Sequence, residues 1–281
     1  TARTAAALIM GLILAATPAL AAKKAEPVRI EGYADEAMEP FLSRDGRFLF
    51  FNTRNDPGAN TNIHFAEAVG DAFVYRGILY GTISYDLDAV ATMSGGGRFC
   101  FVSPRDYRRT RVSVLCGAFD GKQVNGTTPQ LNLATARNGR LIFDVELAAD
   151  GQSMVFAEGT FSGGDAPDEA DLYMAKPGPR GFVRDPDSKA FVSINTGGLE
   201  YAPALSADGL ELYFTRVSGI WPFRSPRIFR ATRGSVEQPF GKPAEVEAIE
   251  GFVEGPTIAP DGTIYYHKKV GGQFQIWRWH P

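Results

Sequence analysis

The chain has 281 residues, of which 44% are hydrophobic and 22% are charged, and its 29 Lys and Arg against 32 Asp and Glu leave a net charge of −3. This composition excludes a disordered chain, which combines low hydrophobicity with high net charge. It also disfavours a nucleic-acid-binding protein, which presents a basic surplus. The 31 Gly, 18 Pro and 12% aromatic residues favour strands and turns over helices.

Residues 1–21 are typical of a secretory signal peptide. Arg3 precedes a 12-residue apolar stretch at 5–16, and Ala19, Leu20 and Ala21 form an A-x-A cleavage pattern. The stretch is shorter than the roughly 20 residues of a membrane span, although an uncleaved anchor or a buried helix remains the alternative. We therefore expect a cleaved signal peptide at 1–21 and a mature domain at 22–281 without a membrane span, in the periplasm or secreted.

Five copies of one turn follow along the chain. They occupy residues 41–46, 92–97, 146–151, 204–209 and 257–262, and successive copies are 51, 54, 58 and 53 residues apart. Four of them contain Asp-Gly, which suits a tight hairpin because Gly adopts positive φ freely. An apolar strand and then a second short strand follow each turn. Such a period predicts four-stranded antiparallel blades.

We therefore predict an all-β fold, a single β-propeller with five repeats of about 52 residues each. Only four residues follow Trp277, so the last blade lacks an outer strand. Residues 28–30, just past the signal peptide, are positioned to supply that strand and close the ring. A β-sandwich with coincidental Asp-Gly turns is the alternative.

The repeats resemble the WD-like propeller repeat of TolB-type proteins. Residues 203–209 (PALSADG) and 256–262 (PTIAPDG) carry the motif best, and Pro40 has the same offset in the first repeat. The second repeat departs from the motif with SGGG at 94–97, and the chain has no room for the sixth blade and additional domain of TolB itself. The resemblance covers about residues 36–281 and implies an exported propeller that docks envelope components.

Acidic residues lie at the start of each predicted innermost strand. Four of them share the same parity relative to their turns, so we expect them to point the same way, toward the mouth of the channel. A carboxylate ring there would bind Ca²⁺ or a cationic ligand, or share a proton. Solvated loop acids are the alternative. The candidate ligand-binding residues are Glu39, Asp88, Asp144, Glu146, Glu200 and Glu254.

The loops between second and third strands, at 52–62, 103–110, 159–170 and 217–226, share one face with the links into the innermost strands. We call this the loop-rich face. Arginine and aromatic side chains, which are typical of interface anchors, concentrate there. Salt-bridged loops that tie neighbouring blades together are the alternative. The candidate partner-binding residues are Arg105, Tyr107, Arg108, Trp221, Phe223 and Arg224.

The two cysteines, Cys100 and Cys116, flank one loop symmetrically, so we expect them to lie opposite each other across a hairpin. The sequence leaves two alternatives open, a disulfide suited to an exported protein and a pair of buried thiols. The three histidines have no metal-binding spacing. We therefore expect no cofactor and no catalytic metal, with Ca²⁺ as the one ion that the acidic residues would take.

Two functions fit these patterns. The first is a monomeric, exported binding module whose loop-rich face takes an envelope protein or a glycan, and not a nucleic acid. The second is a carbohydrate hydrolase, because five-bladed propellers look like the arabinanase and fructosidase group, which places carboxylates at the start of its inner strands. Glycoside hydrolysis requires two carboxyl groups. A Ca²⁺-dependent lactonase-like enzyme is a variant of the second hypothesis.

Overall fold

The computed structural model describes residues 24–55, 60–163, 166–218 and 224–281. The predicted signal peptide lies outside the described residues, as do Trp221 and Phe223. Within the described part of the chain, no helix is long and apolar enough to cross a membrane.

The described strands form four sheets, one of which joins two antiparallel units through a single parallel pair, Ala170 with Leu199. We group the strands in chain order into five antiparallel units, preceded by β1 (Glu26–Pro27) and β2 (Ile30–Glu31). Unit 1 contains β3 (Met38–Leu42), β4 (Phe48–Asn52), β5 (Ile63–Val69) and β6 (Ala72–Ile78). Unit 2 contains β7 (Ala89–Met93), β8 (Arg98–Val102), β9 (Val114–Phe119) and β10 (Val124–Pro129). Unit 3 contains β11 (Arg140–Leu147), β12 (Met154–Thr160), β13 (Glu169–Gly178) and β14 (Gly181–Arg184).

Unit 4 contains β15 (Leu199–Leu205), β16 (Glu211–Ser218), β17 (Ser225–Thr232) and β18 (Ala244–Glu245). Unit 5 contains β19 (Val253–Ile258), β20 (Ile264–Val270) and β21 (Gln273–Trp279). Two short helical turns interrupt the strands, α1 (Tyr107–Thr110) between β8 and β9 and a 3₁₀ turn (Leu131–Leu133) after β10.

The units form a ring. Their innermost strands, β3, β7, β11, β15 and β19, contact one another in a closed cycle. The N-terminal segment joins the two ends: β1 pairs antiparallel with β21, with Glu26 opposite Arg278, and β2 pairs parallel with β6, with Ile30 opposite Phe73. This arrangement confirms the predicted β-propeller of antiparallel blades. The closing strand is β1, shortly before the predicted 28–30 segment, although Val28 still bonds to Ile276.

The predicted turns form for the expected reason. Their glycines all have positive φ, between 70° and 83°, which only glycine adopts without steric cost. The preceding aspartates accept a hydrogen bond from the backbone two residues further on, as Asp45 does from the Arg47 amide and Asp208 from the Leu210 amide. These turns are therefore stabilised by contacts within a few residues of sequence.

The hydrophobic core is divided into clusters that lie between neighbouring units. Phe50 of unit 1 packs edge-on against Phe99 of unit 2, with ring centroids 5.1 Å apart. Leu49 of unit 1 belongs to the cluster of Tyr265 and Ile276, which closes unit 5 onto unit 1. Since each sheet face is covered only by the next sheet, the apolar residues of one unit are buried only when its neighbours are present.

Cys100 and Cys116 lie directly opposite each other on β8 and β9. They are joined by a disulfide, with Sγ–Sγ 2.01 Å and Cα–Cα 4.1 Å. The bond crosses one hairpin of unit 2 and is buried in the cluster between units 2 and 3.

A β-bulge interrupts every innermost strand near its start. In four units the bulge contains a residue with positive φ: Glu39 (49°), Val90 (53°), Ala202 (49°) and Gly255 (61°). In unit 3 the register shifts just before Asp144. Bulges re-aim side chains, and here they turn these five positions toward the axis of the ring.

Candidate functional site

A small cavity lies on the axis of the ring, at the level of the bulges. Its volume is about 20 Å³, which is room for about one water molecule. The five bulge positions, each seven residues before its turn glycine, all line it. Two of the five are acidic, so the cavity receives carboxyl groups from units 1 and 3. The five bulge positions are Glu39, Val90, Asp144, Ala202 and Gly255.

Beside the cavity, Glu39, His267 and Glu254 form a hydrogen-bonded chain. The backbone amide of Glu39 donates to His267 Nδ1 at 3.1 Å. Because Nδ1 accepts this bond, the imidazole proton is on Nε2, which donates to Glu254 Oε2 at 3.3 Å. His267 is fully buried. Its two contacts therefore fix its orientation and, in the neutral form, its tautomer.

Two more donors position the carboxyl groups of the site. The Tyr201 hydroxyl donates to Glu254 Oε1, so Glu254 receives one bond from the tyrosine and one from His267. Asp144 Oδ2 accepts the backbone amide of Ala202 at 3.1 Å. The carboxyl group of Asp144 and the Ala202 amide that binds it therefore both belong to bulge positions.

The environments of the three carboxyl groups shift their pKa values in opposite directions. Burial raises the pKa of Glu39 to about 8, and the nearby Asp144 and Glu254 add to this effect while His267 opposes it. Burial likewise raises the pKa of Asp144 to about 8. Burial also acts on Glu254, but the hydrogen bonds from His267 and Tyr201 outweigh it, and the pKa of Glu254 is lowered. At pH 7 the site therefore holds two protonated carboxyl groups and one carboxylate.

Burial lowers the pKa of His267, but the carboxyl groups of Glu39 and Glu254 reverse this effect and the net pKa is raised. Protonation of Nδ1 would deprive the Glu39 amide of its acceptor. The protonation state of His267 therefore affects both its hydrogen bond with the backbone of β3 and its hydrogen bond with the Glu254 carboxylate.

The structure does not bring Asp88 and Glu200 to the cavity, which corrects the expectation that the acidic residues of all units face the channel. Both side chains are fully buried, and each pairs with an arginine: Asp88 with Arg105 at 2.6 Å and Glu200 with Arg216 at 2.7 Å. Each also accepts a hydroxyl and a backbone amide from the residue four positions earlier, Ser84 or Thr196. They hold the links into β7 and β15.

Glu146, two residues after the bulge position Asp144, also lines the cavity, as predicted. It is buried and accepts from Arg44 at 2.7 Å, from the Thr92 hydroxyl at 2.8 Å and from the Leu205 amide at 3.1 Å. All of its partners belong to other units than its own. These contacts with units 1, 2 and 4 indicate that Glu146 stabilises the ring.

The loop residues predicted to bind a partner have different surroundings. Arg105 is committed to Asp88, and the Tyr107 hydroxyl donates to the Arg140 carbonyl at 2.5 Å, which favours the alternative of loops tied to neighbouring units. Arg108 and Arg224 are exposed. Among the described residues, no group of three or more His, Cys, Asp and Glu side chains is arranged to hold a metal ion.

The fold and this site define a β-propeller with an acidic centre. No family model matches the chain, and no curated protein matches it. Among solved structures, one described as a glycoside hydrolase matches with a TM-score of 0.62 and 10% identity over 92% of each chain. An endo-arabinase from Bacteroides thetaiotaomicron matches with a TM-score of 0.55 and 14% identity over 91% of this chain and 98% of that one.

A structure described as a TolB from Agrobacterium tumefaciens matches with a TM-score of 0.50 and 13% identity, over 90% of this chain and 78% of that one. At such identities these likenesses show the fold alone. Since glycoside hydrolases and a TolB share it, the resemblance of the repeats to TolB-type proteins identifies the propeller and not the TolB type.

Proposed function

We propose that the protein is an exported propeller hydrolase that cleaves glycosidic bonds at the end of its channel. The observation that carries the proposal is the meeting of Glu39, Asp144 and Glu254, from three different units, in opposite protonation states. A pair of carboxyl groups whose environments separate their pKa values is the arrangement that general acid–base catalysis requires.

The proposed roles follow from protonation and access. Glu39 is protonated at neutral pH and only partly buried, so it serves as the general acid that protonates the leaving oxygen. Glu254 is ionised and serves as the carboxylate that activates water or attacks the sugar. His267 and Tyr201 position Glu254 by their hydrogen bonds. The cavity beside Glu39 and Asp144 has room for the water that hydrolysis consumes.

The experiment measures release of reducing ends from a panel of neutral and acidic polysaccharides between pH 5 and pH 9. Glu39→Gln replaces a protonated carboxyl group with a neutral group of the same shape, and Glu254→Gln removes the carboxylate. We expect each to lower kcat/KM by about 100-fold or more. Glu211→Gln, which changes an exposed ion pair with Arg230, is the matched control and keeps full activity. Hydrolysis that survives both Glu39→Gln and Glu254→Gln contradicts the proposal.

A second candidate function is the binding module, and the size of the cavity favours it. About 20 Å³ admits a water molecule and not a sugar ring, so a glycan must bind on the loop-rich side of Glu39. The same panel separates the two functions. Binding without release of reducing ends, unchanged in Glu39→Gln and Glu254→Gln, is the result expected of a binding module.

A further inference from the structure

Four exposed arginines lie together on the loop-rich face. Arg108, Arg109 and Arg111 belong to α1 and the residue after it, and Arg137 belongs to the link that enters β11. The two segments are joined by the bond from the Thr135 amide to the Arg111 carbonyl at 2.9 Å. We call these four residues the arginine patch.

The patch is a local surplus of positive charge on a protein of net charge −3. Some exposed arginines of the other units have carboxylate partners, as Arg47 and Arg76 have in Glu67. Within the patch, Arg109 pairs with Asp106 at 3.3 Å. In the described part of the chain, no carboxylate forms an ion pair with Arg108, Arg111 or Arg137.

Glu169 of unit 3 lies within electrostatic range of Arg137, but it is already paired with Arg140 at 2.7 Å. The Arg140 guanidinium also binds Glu158. Glu158 and Glu169 are therefore committed to Arg140, and the patch keeps a net positive charge.

The patch lies at the same end of the ring as the cavity. Arg137 precedes Asp144 by seven residues in the link and the first half of β11. Seven residues of fully extended chain span at most about 25 Å. Arg137 is therefore at most about 25 Å from Asp144, a span that a polymer of several sugar units covers.

We propose that the arginine patch binds an anionic polysaccharide, so that the site acts on an acidic glycan. This inference rests on the proposed function and names its substrate class. Guanidinium groups form paired hydrogen bonds with carboxylates and with sulfate or phosphate groups, which neutral sugars lack. The two segments carry charges at several points, which matches a repeating anionic chain.

The test measures binding at low salt of polygalacturonate, which carries carboxylates, dextran sulfate, which carries sulfates, and neutral dextran. The protein is the Glu39→Gln variant, so that no cleavage interferes. We expect binding of at least one anionic polymer and not of dextran, with loss of affinity at 0.5 M salt. Which anionic polymer binds more tightly distinguishes carboxylate from sulfate recognition.

Two double variants with the same net charge locate the binding. Arg108→Ala with Arg137→Ala removes half of the patch, and we expect a loss of affinity of roughly tenfold or more. Arg98→Ala with Arg180→Ala removes two exposed arginines at the turn ends of β8 and β13, away from the loop-rich face, and leaves affinity unchanged. Equal losses in the two variants, or no binding of either anionic polymer, overturn the inference.

The outcomes also separate this inference from the proposed function. Binding of the anionic polymer at the patch without hydrolysis by the wild type supports the patch and contradicts the hydrolase. Hydrolysis of a neutral glycan without binding of either anionic polymer supports the hydrolase and contradicts the patch.

Discussion

Arg44, in the first Asp-Gly turn, crosses the axis of the ring and donates from Nη2 to Glu146 of unit 3 at 2.7 Å. The same guanidinium donates to the carbonyls of Leu147 and Leu205, so one side chain of unit 1 holds units 3 and 4. Both charged side chains are at most 10% exposed. The turn end of the channel is therefore closed by an ion pair.

Removing one partner of this pair leaves a buried charge without compensation, which typically costs about 3–5 kcal/mol. We expect Arg44→Met to lower the free energy of unfolding by about 3 kcal/mol or more, measured by urea titration. Arg44→Met combined with Glu146→Leu removes both charges and recovers much of the loss. The control is Arg230→Met, which breaks an exposed pair with Glu211 and costs less than about 1 kcal/mol. A similar cost for both single variants contradicts the role given to Arg44.

The raised pKa values of Glu39 and Asp144 predict how stability depends on pH. An unfolded carboxyl group ionises near pH 4, whereas these two keep their protons in the folded state up to about pH 8. Between these values the folded protein binds more protons than the unfolded chain, so stability falls as pH rises. The slope reaches about 1.4 kcal/mol per pH unit for each proton.

We expect Glu39→Gln and Asp144→Asn each to flatten this slope, measured as unfolding free energy from pH 5 to pH 9. Asp208→Asn is the control, because the Ser206 hydroxyl lowers the pKa of Asp208 and its contribution is lost only at lower pH. The protonation assigned to the site is wrong if wild-type stability is level between pH 5 and pH 8. It is also wrong if stability falls as steeply in both site variants as in the wild type.

The bulge positions Ala202 and Gly255 are equivalent and both have positive φ, 49° and 61°. A Cβ on Gly255 would lie 2.8 Å from Glu39 Oε2 and 3.0 Å from His267 Nδ1. We expect Gly255→Ala to lose about 2 kcal/mol or more, from left-handed strain of about 1–2 kcal/mol and this clash. Ala202→Gly is close to neutral, because relief of strain is offset by the lost methyl contact of about 0.8 kcal/mol. Urea titration of both variants tests this prediction, and equal losses of unfolding free energy in the two variants would contradict it.

The disulfide between Cys100 and Cys116 closes a loop with a sequence separation of 16. Such a loop contributes about 3 kcal/mol when the main effect is on the unfolded chain. We expect dithiothreitol to lower the unfolding midpoint of the wild type by several degrees and to leave Cys100→Ala with Cys116→Ala unaffected. A wild-type midpoint that does not respond to dithiothreitol contradicts a stabilising bond.

The fold follows from the sequence because its signals are local. A turn glycine at positive φ and the aspartate that precedes it act within a few residues, as at Asp208 and Gly209. Closure by the N-terminal segment followed from the missing outer strand of unit 5. The segment that closes the ring is β1 at Glu26–Pro27, and no local signal in the sequence separates it from residues 28–30.

The site was predicted only in part. The prediction that the acidic residues point the same way rests on their parity relative to the turns, which holds only for strands without bulges. The bulges insert a residue in each innermost strand, so Glu39 and Asp144 turn toward the axis while Asp88 and Glu200 do not. A signal for the second pair exists in the sequence: Ser84 and Thr196 stand four residues before these acids and cap them. The contact of His267 with Glu254 lies within the β19–β20 hairpin, but its contact with Glu39 joins positions 228 residues apart, for which the sequence carries no local signal.

The pairing of β1 with β21 also bears on how the molecule folds. Arg278 donates to Glu26 at 2.8 Å across a sequence separation of 252. The hairpins of the units form from neighbouring residues, but this contact requires nearly the whole chain to be in place, and such distant contacts form slowly. We therefore expect ring closure to be a late step of folding. Before closure the apolar faces that meet between units 1 and 5 are uncovered, and such exposed apolar surface favours aggregation.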